Sequence, residues 1–446
     1  MKDSKRVLVA SLIKEERIFV GDGYRAKNSE LAEEGLPFAR AGNLNNGFQF
    51  EGADCIPFSD VAKVGNKRSI VGDVAFTSKG TIGRFGFVNK HTQEFVYSPQ
   101  LCFWRSLDSE SINSQYLYYW MNSALFLHQV AMVSGQTDMA PYVNLRDQRR
   151  MYIDVPPLPI QKKIASILSA YDELIENNNQ RIQLLETMAE EIYKEWFVRL
   201  RFPGYQDTPV VDGVPEGWEK KRLRELIEHY IGGGWGEEAP EIGSLEPAYV
   251  VRGTDIPDLC NGVINYEILR YHKKSNLKSR LLIPGDIIFE VSGGTEDQSL
   301  GRLSIVTQEL LNRLDYPLIC ASFCKLIRSK SQEFSPFLLH STLKRMYSTG
   351  EIKVFQVQST GISNYQFEDF IDSQKLLEPP VEIQKKFDDI ICPMYSEIQF
   401  LGAKNEVLKE TRDLLLPRLI SGKLSVEHLL NDDQQPERVT ALESVS

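Results

Sequence analysis

Two kinds of hydrophobic pattern alternate along the 446-residue chain. Short apolar runs broken by Gly, Asn and Asp, such as VAFT, FGFV and DIIFEV, predict strands within residues 1–155 and 203–378. Helix-forming residues dominate after each of these β-rich stretches, and neither Gly nor Pro occurs between residues 160 and 202. The pattern therefore predicts an α/β (α+β) protein in which two mixed α/β domains are separated by two long helices.

The sequence also repeats itself. PPLPIQKKI at residues 156–164 returns as PPVEIQKKF at 379–387, and GDVAF at 72–76 returns as GDIIF at 285–289. Each GD motif is followed by a glycine-containing turn and a Gly-Arg pair that leads into a strand, GRFGFV at 83–88 and GRLSIV at 301–306. Four elements in the same order indicate two diverged copies of one unit.

The repeat divides the chain into five segments. We predict a first domain at 1–155, a first helix at 156–202, a second domain at 203–378, a second helix at 379–424 and a flexible tail at 425–446. Pro417 is expected to kink or end the second helix, because proline removes a backbone amide, and Gly422 supplies a stop.

Both helices carry the seam of a coiled coil, in which apolar positions recur with spacings of four and three. The first seam is Ile164, Leu168, Tyr171, Ile175, Asn178, Ile182, Leu185 and Ile192; the second is Phe387, Ile391, Met394, Ile398, Leu401, Asn405, Leu408 and Leu415. An antiparallel pair would place Asn178 and Asn405 in neighbouring layers, where buried amides fix the register. The alternative is that both amides are solvated at a poorly packed mid-section. At about 1.5 Å per residue the helices would form a rod of about 55–60 Å.

Motifs that support catalysis are missing from the sequence. It contains no GxxxxGK[ST] phosphate loop, no HExxH, no Gly-x-Ser-x-Gly and no Asn/Asp-Pro-Pro-aromatic tetrad of the kind that holds a flipped base in amino-methyltransferases. The six cysteines and six histidines are scattered, so no metal site is expected. No apolar run is long enough to cross a membrane. We therefore expect a non-catalytic reader or scaffold in the cytoplasm.

Several motifs resemble the specificity subunit of type I restriction-modification enzymes. They are ENNNQRIQLLETMAEEIYKEWFVRLRFPGY (176–205), VPEGWEKKRL (214–223), GDVAFTSKGTIGR, TGISNYQFEDF (360–370) and LLLPRLISGKL (414–424). The resemblance implies that the β-rich domains are two target-recognition domains for a bipartite duplex DNA site, with the helical rod setting the spacer. It also implies two adenine-N6 methyltransferase subunits that bind S-adenosylmethionine, and two translocase-nuclease subunits that use ATP and Mg. None of these cofactors is expected on this chain.

Glycine-containing turns and polar loops are the candidate DNA contacts, because Lys and Arg neutralise phosphates while Gln and Arg can read base edges. In the first domain they are Lys67, Arg68, Ser78, Lys79, Thr81, Arg84, Gln136 and Thr137. In the second domain they are Lys273, Lys274, Lys278, Arg280, Ser292, Thr295, Arg302, Gln358, Ser359 and Thr360. For each of these residues a solvated loop side chain is the alternative.

The net charge of −10 limits this interpretation. Residues 1–155 carry 18 basic and 17 acidic side chains, whereas residues 201–378 carry 20 and 25. We expect the isolated chain to bind DNA weakly and to bind strongly inside a complex. The alternatives are the specificity subunit of a methylation-only defence system, a coiled-coil scaffold that does not read DNA, and a stand-alone methyltransferase, which the missing tetrad disfavours.

Overall fold

The computed structural model describes residues 4–45, 47–134, 142–293, 298–359 and 362–432. The chain divides into two compact units, one formed by residues 1–173 with 409–446 and the other by residues 174–408. Among the helices of the described ranges, none is long and apolar enough to cross a membrane.

Among the described residues, nine strands and six α-helices of the first unit begin within residues 1–173. The strands are β1 (Lys5–Leu8), β2 (Ile18–Asp22), β3 (Leu36–Ala39), β4 (Cys55–Ile56), β5 (Val74–Thr77), β6 (Phe85–Phe87), β7 (Val96–Tyr97), β8 (Leu101–Ser106) and β9 (Tyr152–Val155). The helices are α1 (Val9–Lys14), α2 (Val61–Val64), α3 (Ser114–Met121), α4 (Ala124–Ser134), α5 (Leu145–Arg149) and the long α6 (Leu158–Tyr193).

The second unit follows the same plan with some additional elements. Its strands are β10 (Val210–Val211), β11 (Val214–Pro215), β12 (Glu219–Arg222), β13 (Ile227–Gly232), β14 (Glu246–Val251), β15 (Leu269–His272), β16 (Ile287–Glu290), β17 (Ser292–Gly293), β18 (Leu303–Ile305), β19 (Leu318–Cys320), β20 (Cys324–Ser329), β21 (Gln356–Ser359), β22 (Ile362–Tyr365) and β23 (Lys375–Glu378). Its helices are α7 (Leu223–Leu226), α8 (Ile256–Cys260), α9 (Lys274–Arg280), α10 (Gln308–Leu311), α11 (Pro336–Ser348), α12 (Phe367–Ser373) and most of α13 (Val381–Ile420).

The strand orders of the two units match. The four-stranded sheet β2-β8-β5-β6 corresponds to β13-β20-β16-β18, and the three-stranded sheet β4-β3-β7 corresponds to β15-β14-β19. The terminal strand pair β1-β9 likewise corresponds to β12-β23, and in both three-stranded sheets the central strand has one antiparallel and one parallel neighbour. The fold therefore confirms the duplication predicted from the sequence motifs.

The aspartate of each GD motif is a fully buried structural anchor. Asp73 accepts the Ile70 amide at 2.9 Å and a two-pronged contact from Arg105 at 2.6 and 2.7 Å. A buried carboxylate is stable only when it is paired and hydrogen-bonded, and this arrangement meets both conditions. The second unit repeats it with Asp286, Ile283 and Arg328, at 2.8, 2.7 and 2.7 Å.

The glutamine of each IQKK motif fastens the start of a long helix to its domain. The Gln161 side chain accepts the Asn113 amide at 2.9 Å and donates to the carbonyls of Ser111 and Pro156 at 2.9 and 2.8 Å. Because Gln161 is fully buried, these bonds satisfy polar groups that water cannot reach. Gln384 makes the same three contacts, with the amide of Ser335 and the carbonyls of Glu333 and Pro379.

Within the second unit, α6 and α13 pack as an antiparallel pair. Asn178 Nδ2 donates to Asn405 Oδ1 at 2.8 Å, and Asn405 Nδ2 donates to Asn179 Oδ1 at 2.9 Å. Asn178 and Asn405 are both buried, so the solvated alternative is wrong and the expected polar layer is present. Next to this layer, Ile182 packs with Ile398 in a small apolar cluster.

The helix ends that belong to the first unit also pack together. Leu419 and Ile420 of α13 join Ile164 and Leu168 of α6 in the core of that unit. Arg412 Nη1 lies 2.5 Å from Asp172 Oδ1. Every seam position predicted above is buried or half-buried.

Two details at the end of α13 differ from the sequence prediction. The helix does not end at Pro417 but continues to Ile420. Pro417 lacks an amide, but its carbonyl still accepts the Ser421 amide at 3.1 Å, and Gly422, at φ +72°, follows the end of the helix. The predicted flexible tail begins with a helix, α14 (Glu427–Asp432), and Val426 before it is buried. The remainder of that tail lies outside the described residues.

We expect Gln384→Ala to lower the free energy of unfolding by about 2–4 kcal/mol, because three buried backbone groups lose their partner. Urea denaturation followed by circular dichroism measures this. Gln183→Ala, at an exposed site on α6, is the control. A loss no larger than that of the control would contradict the anchoring role.

Candidate nucleic-acid interface

The turn after β5 presents polar side chains on a closed hairpin. Thr77 donates its amide to the Arg84 carbonyl at 3.0 Å, and the Arg84 amide donates to Thr77 Oγ1 at 3.1 Å. Gly80, at φ +80°, adopts a backbone conformation that glycine allows without strain. Lys79, Thr81 and Arg84 are exposed, whereas Ser78 is buried and its hydroxyl lies 3.3 Å from the Gln100 carbonyl. Of the four residues predicted here, Lys79, Thr81 and Arg84 have accessible side chains, whereas Ser78 has a structural role.

A second segment lies against this turn. Lys79 forms an isolated β-bridge with Tyr142, and the Val143 amide donates to the Ser78 carbonyl at 2.9 Å. Tyr142 is 37% exposed; burial raises the pKa of its hydroxyl, and the nearby positive charge of Arg25 opposes that rise. Sequence reasoning missed the position of Tyr142 beside this turn. The predicted loop residues Gln136 and Thr137 precede Tyr142 but lie outside the described residues.

The second domain has a comparable arrangement after β16. Strand β17 pairs with β22, which pairs with β21, so Ser292 lies opposite Asn364 and Gln358 lies opposite Ser363. Ser292 Oγ donates to Asn364 Oδ1 at 3.0 Å, while the Gln358 side chain is exposed. The structure therefore brings together Ser292, Gln358 and the backbone of Ser359. Thr295 and Thr360 fall outside the described part of the chain.

Several predicted basic contacts instead hold their own domain together. Lys67 Nζ lies 2.8 Å from both Asp22 Oδ1 and the Gly23 carbonyl, and Arg68 pairs with Glu94 at 2.6 Å. Arg280 Nε donates to the Gly232 carbonyl at 3.0 Å. Lys273, Lys274 and Lys278 are exposed and make no ion pair with any described residue.

Arg302 is the clearest difference from the sequence expectation. Its guanidinium forms a two-pronged contact with Glu290, at 2.8 and 2.5 Å, and the Glu290 side chain is only 3% exposed. These hydrogen bonds raise the pKa of Arg302. Arg84 occupies the same place in the first repeat, where Thr77 stands in the position of Glu290 and leaves the arginine exposed. The sequence carried this signal, since GDVAFT corresponds to GDIIFE.

The described residues offer no site for a metal ion. No three His, Cys, Asp or Glu side chains come together there as possible ligands. The site that the chain does offer consists of short hydrogen-bonded turns with exposed Lys, Arg, Gln and Tyr side chains, a set suited to contacting phosphates and base edges.

We expect Arg302→Met to lower the stability of the second unit by about 3–5 kcal/mol, because Glu290 would remain buried without its partner. Arg84→Met, the matched change in the first repeat, should alter stability by less than about 0.5 kcal/mol. Thermal and urea unfolding measure both, and adding Glu290→Gln to Arg302→Met should restore much of the loss. Equal effects of the two arginine changes would show that the repeats do not differ as described.

Several known proteins are similar to this chain in sequence. A family model described as the type I restriction modification DNA specificity domain matches residues 18–187. The MjaIX specificity subunit of Methanocaldococcus jannaschii is 26% identical over 349 residues, which cover 72% of each chain. The HindI specificity subunit of Haemophilus influenzae is 21% identical over 408 residues, covering 77% of this chain and 84% of the relative.

A solved structure agrees at the level of the fold. The S subunit of a type I restriction-modification system from M. genitalium superposes with a TM-score of 0.56 at 13% identity, covering 94% of this chain and 96% of the other. Residues 18–187 thus match the DNA specificity domain of type I restriction-modification systems, and the relatives that resemble most of the chain are specificity subunits of such systems.

Proposed function

We propose that this chain reads a bipartite DNA target, with one half-site contacted by each domain. The observation that carries the proposal is the duplicated strand order, because two copies of one domain are suited to two copies of one task. Each domain has its own buried Asp–Arg anchor and its own pair of adjoining loops. The half-sites can therefore differ in sequence while the scaffold around them stays the same.

The long helices are proposed to set the spacer between the half-sites. The Asn178–Asn405 hydrogen bond fixes the register of α6 against α13, since a shift of either helix would leave buried amides unpaired. The division between the units falls after residue 173 in α6 and after residue 408 in α13. Seven residues inserted at both places would leave the contacts inside each unit unchanged.

The chain is proposed to act without catalysing a reaction itself. Its partners would be two adenine-N6 methyltransferase subunits that bind S-adenosylmethionine, and two restriction-translocase subunits that use ATP and Mg. The support is the match of residues 18–187 to the type I specificity domain, the similarity to specificity subunits, and the lack of catalytic motifs in the sequence. A methylation-only system would use the same chain without the nuclease. Sequencing methylated DNA from cells with and without this gene tests whether the chain directs methylation, and restriction of unmodified DNA by the same cells tests for the nuclease.

We expect a matched seven-residue insertion, placed after Glu173 and after Leu408 and continuing the heptad pattern, to lengthen the spacer. Seven residues at about 1.5 Å add about 10 Å, or about three base pairs at about 3.4 Å each. Sequencing of methylated DNA from cells carrying the variant measures the spacer directly.

An insertion in the first helix alone is the control for this experiment. It moves α6 by one heptad relative to α13, so that either the Asn178–Asn405 pair or the packing of the α6 start against the end of α13 is lost, and it should abolish methylation at the target. If the matched insertion retains methylation with the original spacer, the helices do not set it.

A further inference from the structure

One stretch of the second domain has a charge opposite to that of the domain as a whole. Between Glu267 and Asp286 the chain carries five basic residues and no acidic one. The five are Arg270, Lys273, Lys274, Lys278 and Arg280. Since residues 201–378 have an acidic excess of five, this stretch is a local concentration of positive charge on an acidic domain.

Trp235 lies next to this basic stretch and forms part of the same surface. Glu237 and Tyr271 exchange two backbone hydrogen bonds of 2.9 Å, which brings Trp235 beside Arg270. The Arg270 guanidinium lies 5.0 Å from the centre of the Trp235 ring, and that ring is 41% exposed. Arg270 Nε is buried and has no hydrogen-bond partner among the described residues. Arg270 Nη1 donates to the Leu269 carbonyl at 3.0 Å, and Nη2 lies 3.5 Å from Glu238 Oε1. The guanidinium therefore holds the accessible Trp235 ring in place, and the lysines supply the charge that has no ion-pair partner among the described residues.

Helix α9 carries the lysines of this surface. Its last residue, Arg280, is tied to the Gly232 carbonyl and anchors the helix to the glycine-rich segment before Trp235. Lys273 precedes the helix, Lys274 begins it and Lys278 follows one turn later, and all three are exposed. Lysine carries a hydrated point charge on a flexible stem, which suits phosphate neutralisation better than base reading.

The first domain treats its corresponding basic run differently. Lys67 is paired with Asp22, and Arg68 is paired with Glu94. Each positive charge there has a carboxylate within 2.8 Å, which reduces its attraction for a phosphate. The two repeats therefore differ in the charge that each offers to a polyanion.

We propose that Trp235, Arg270, Lys273, Lys274 and Lys278 form a grip on the DNA sugar-phosphate backbone that is specific to the second domain. This inference rests on the proposed function and adds that the two domains differ in how much each contributes to sequence-independent DNA binding. The second domain supplies most of the sequence-independent attraction to DNA, while the turns of both domains read the bases. The five residues position the duplex and do not contribute to the choice of sequence.

The test measures how binding of the full-length chain to a labelled random-sequence duplex depends on salt. Each phosphate contact contributes about 0.9 to the steepness of the plot of log affinity against log salt concentration. The triple variant Lys273→Ala/Lys274→Ala/Lys278→Ala removes three such contacts and should therefore make the slope less steep by about three. Alanine favours the helix, so folding should be preserved. Lys90→Ala/Lys375→Ala/Lys423→Ala removes the same charge at other exposed positions and should leave the slope nearly unchanged.

Methylated-DNA sequencing completes the test. The triple variant at α9 should retain the wild-type methylated motif at reduced extent, and Trp235→Ala should do the same. The proposal would be overturned by an unchanged salt slope, by an altered motif, or by loss of a protein partner while DNA binding stays normal. The last of these results would show that the surface binds an acidic protein instead. Absence of any motif dependent on the wild-type chain would instead contradict the proposed function itself.

Discussion

The hydrogen bond between Asn178 and Asn405 is the contact on which the register of the long helices depends. Leucine and isoleucine layers tolerate a shift by one heptad, because each apolar residue meets another of similar size. A buried amide does not tolerate it, since the lost partner leaves a polar group unsatisfied at a cost of about 1–3 kcal/mol. The asparagine layer therefore buries less apolar surface than a leucine layer would, but it allows only one alignment of the two helices.

The two domains attach to these helices through polar contacts that are repeated almost atom for atom. Gln161 and Gln384 each satisfy three backbone groups at a helix start. Within the domains, Asp73 and Asp286 each bind an arginine of the corresponding strands β8 and β20. Buried polar networks of this kind specify geometry because every member has a partner. They explain why GD and IQKK are the motifs that remain recognisable in both repeats, while the exposed turns have diverged.

Much of the fold could be predicted from the sequence, since heptad spacing and repeated motifs are local properties of the chain. The helices, their seam and the duplication follow from such patterns. The roles of individual charged residues do not, because they depend on partners that are brought close only by the sheet. Arg84 and Arg302 share one motif, yet Glu290 engages Arg302 and Thr77 leaves Arg84 exposed. A position-by-position comparison of the two repeats could have revealed this difference, because Thr77 replaces Glu290 in the first repeat.

The position of Tyr142 was also not evident from the sequence. A tyrosine in a polar stretch gives no indication of its neighbours, and only the bridge to Lys79 places it at the turn. By contrast, the local positive charge at residues 270–280 is visible in the sequence, but its exposure depends on the fold. Lys67 and Arg68 show that a basic run can be neutralised by its own domain.

Two similar domains are proposed to read two half-sites independently. The most direct measurement is the methylated motif in cells that carry Lys79→Ala/Arg84→Ala, compared with cells that carry Gln358→Ala. Each variant is predicted to relax or change one half of a bipartite motif and to leave the other half and the spacer intact. A single continuous motif, or a change in both halves from either variant, would contradict the account.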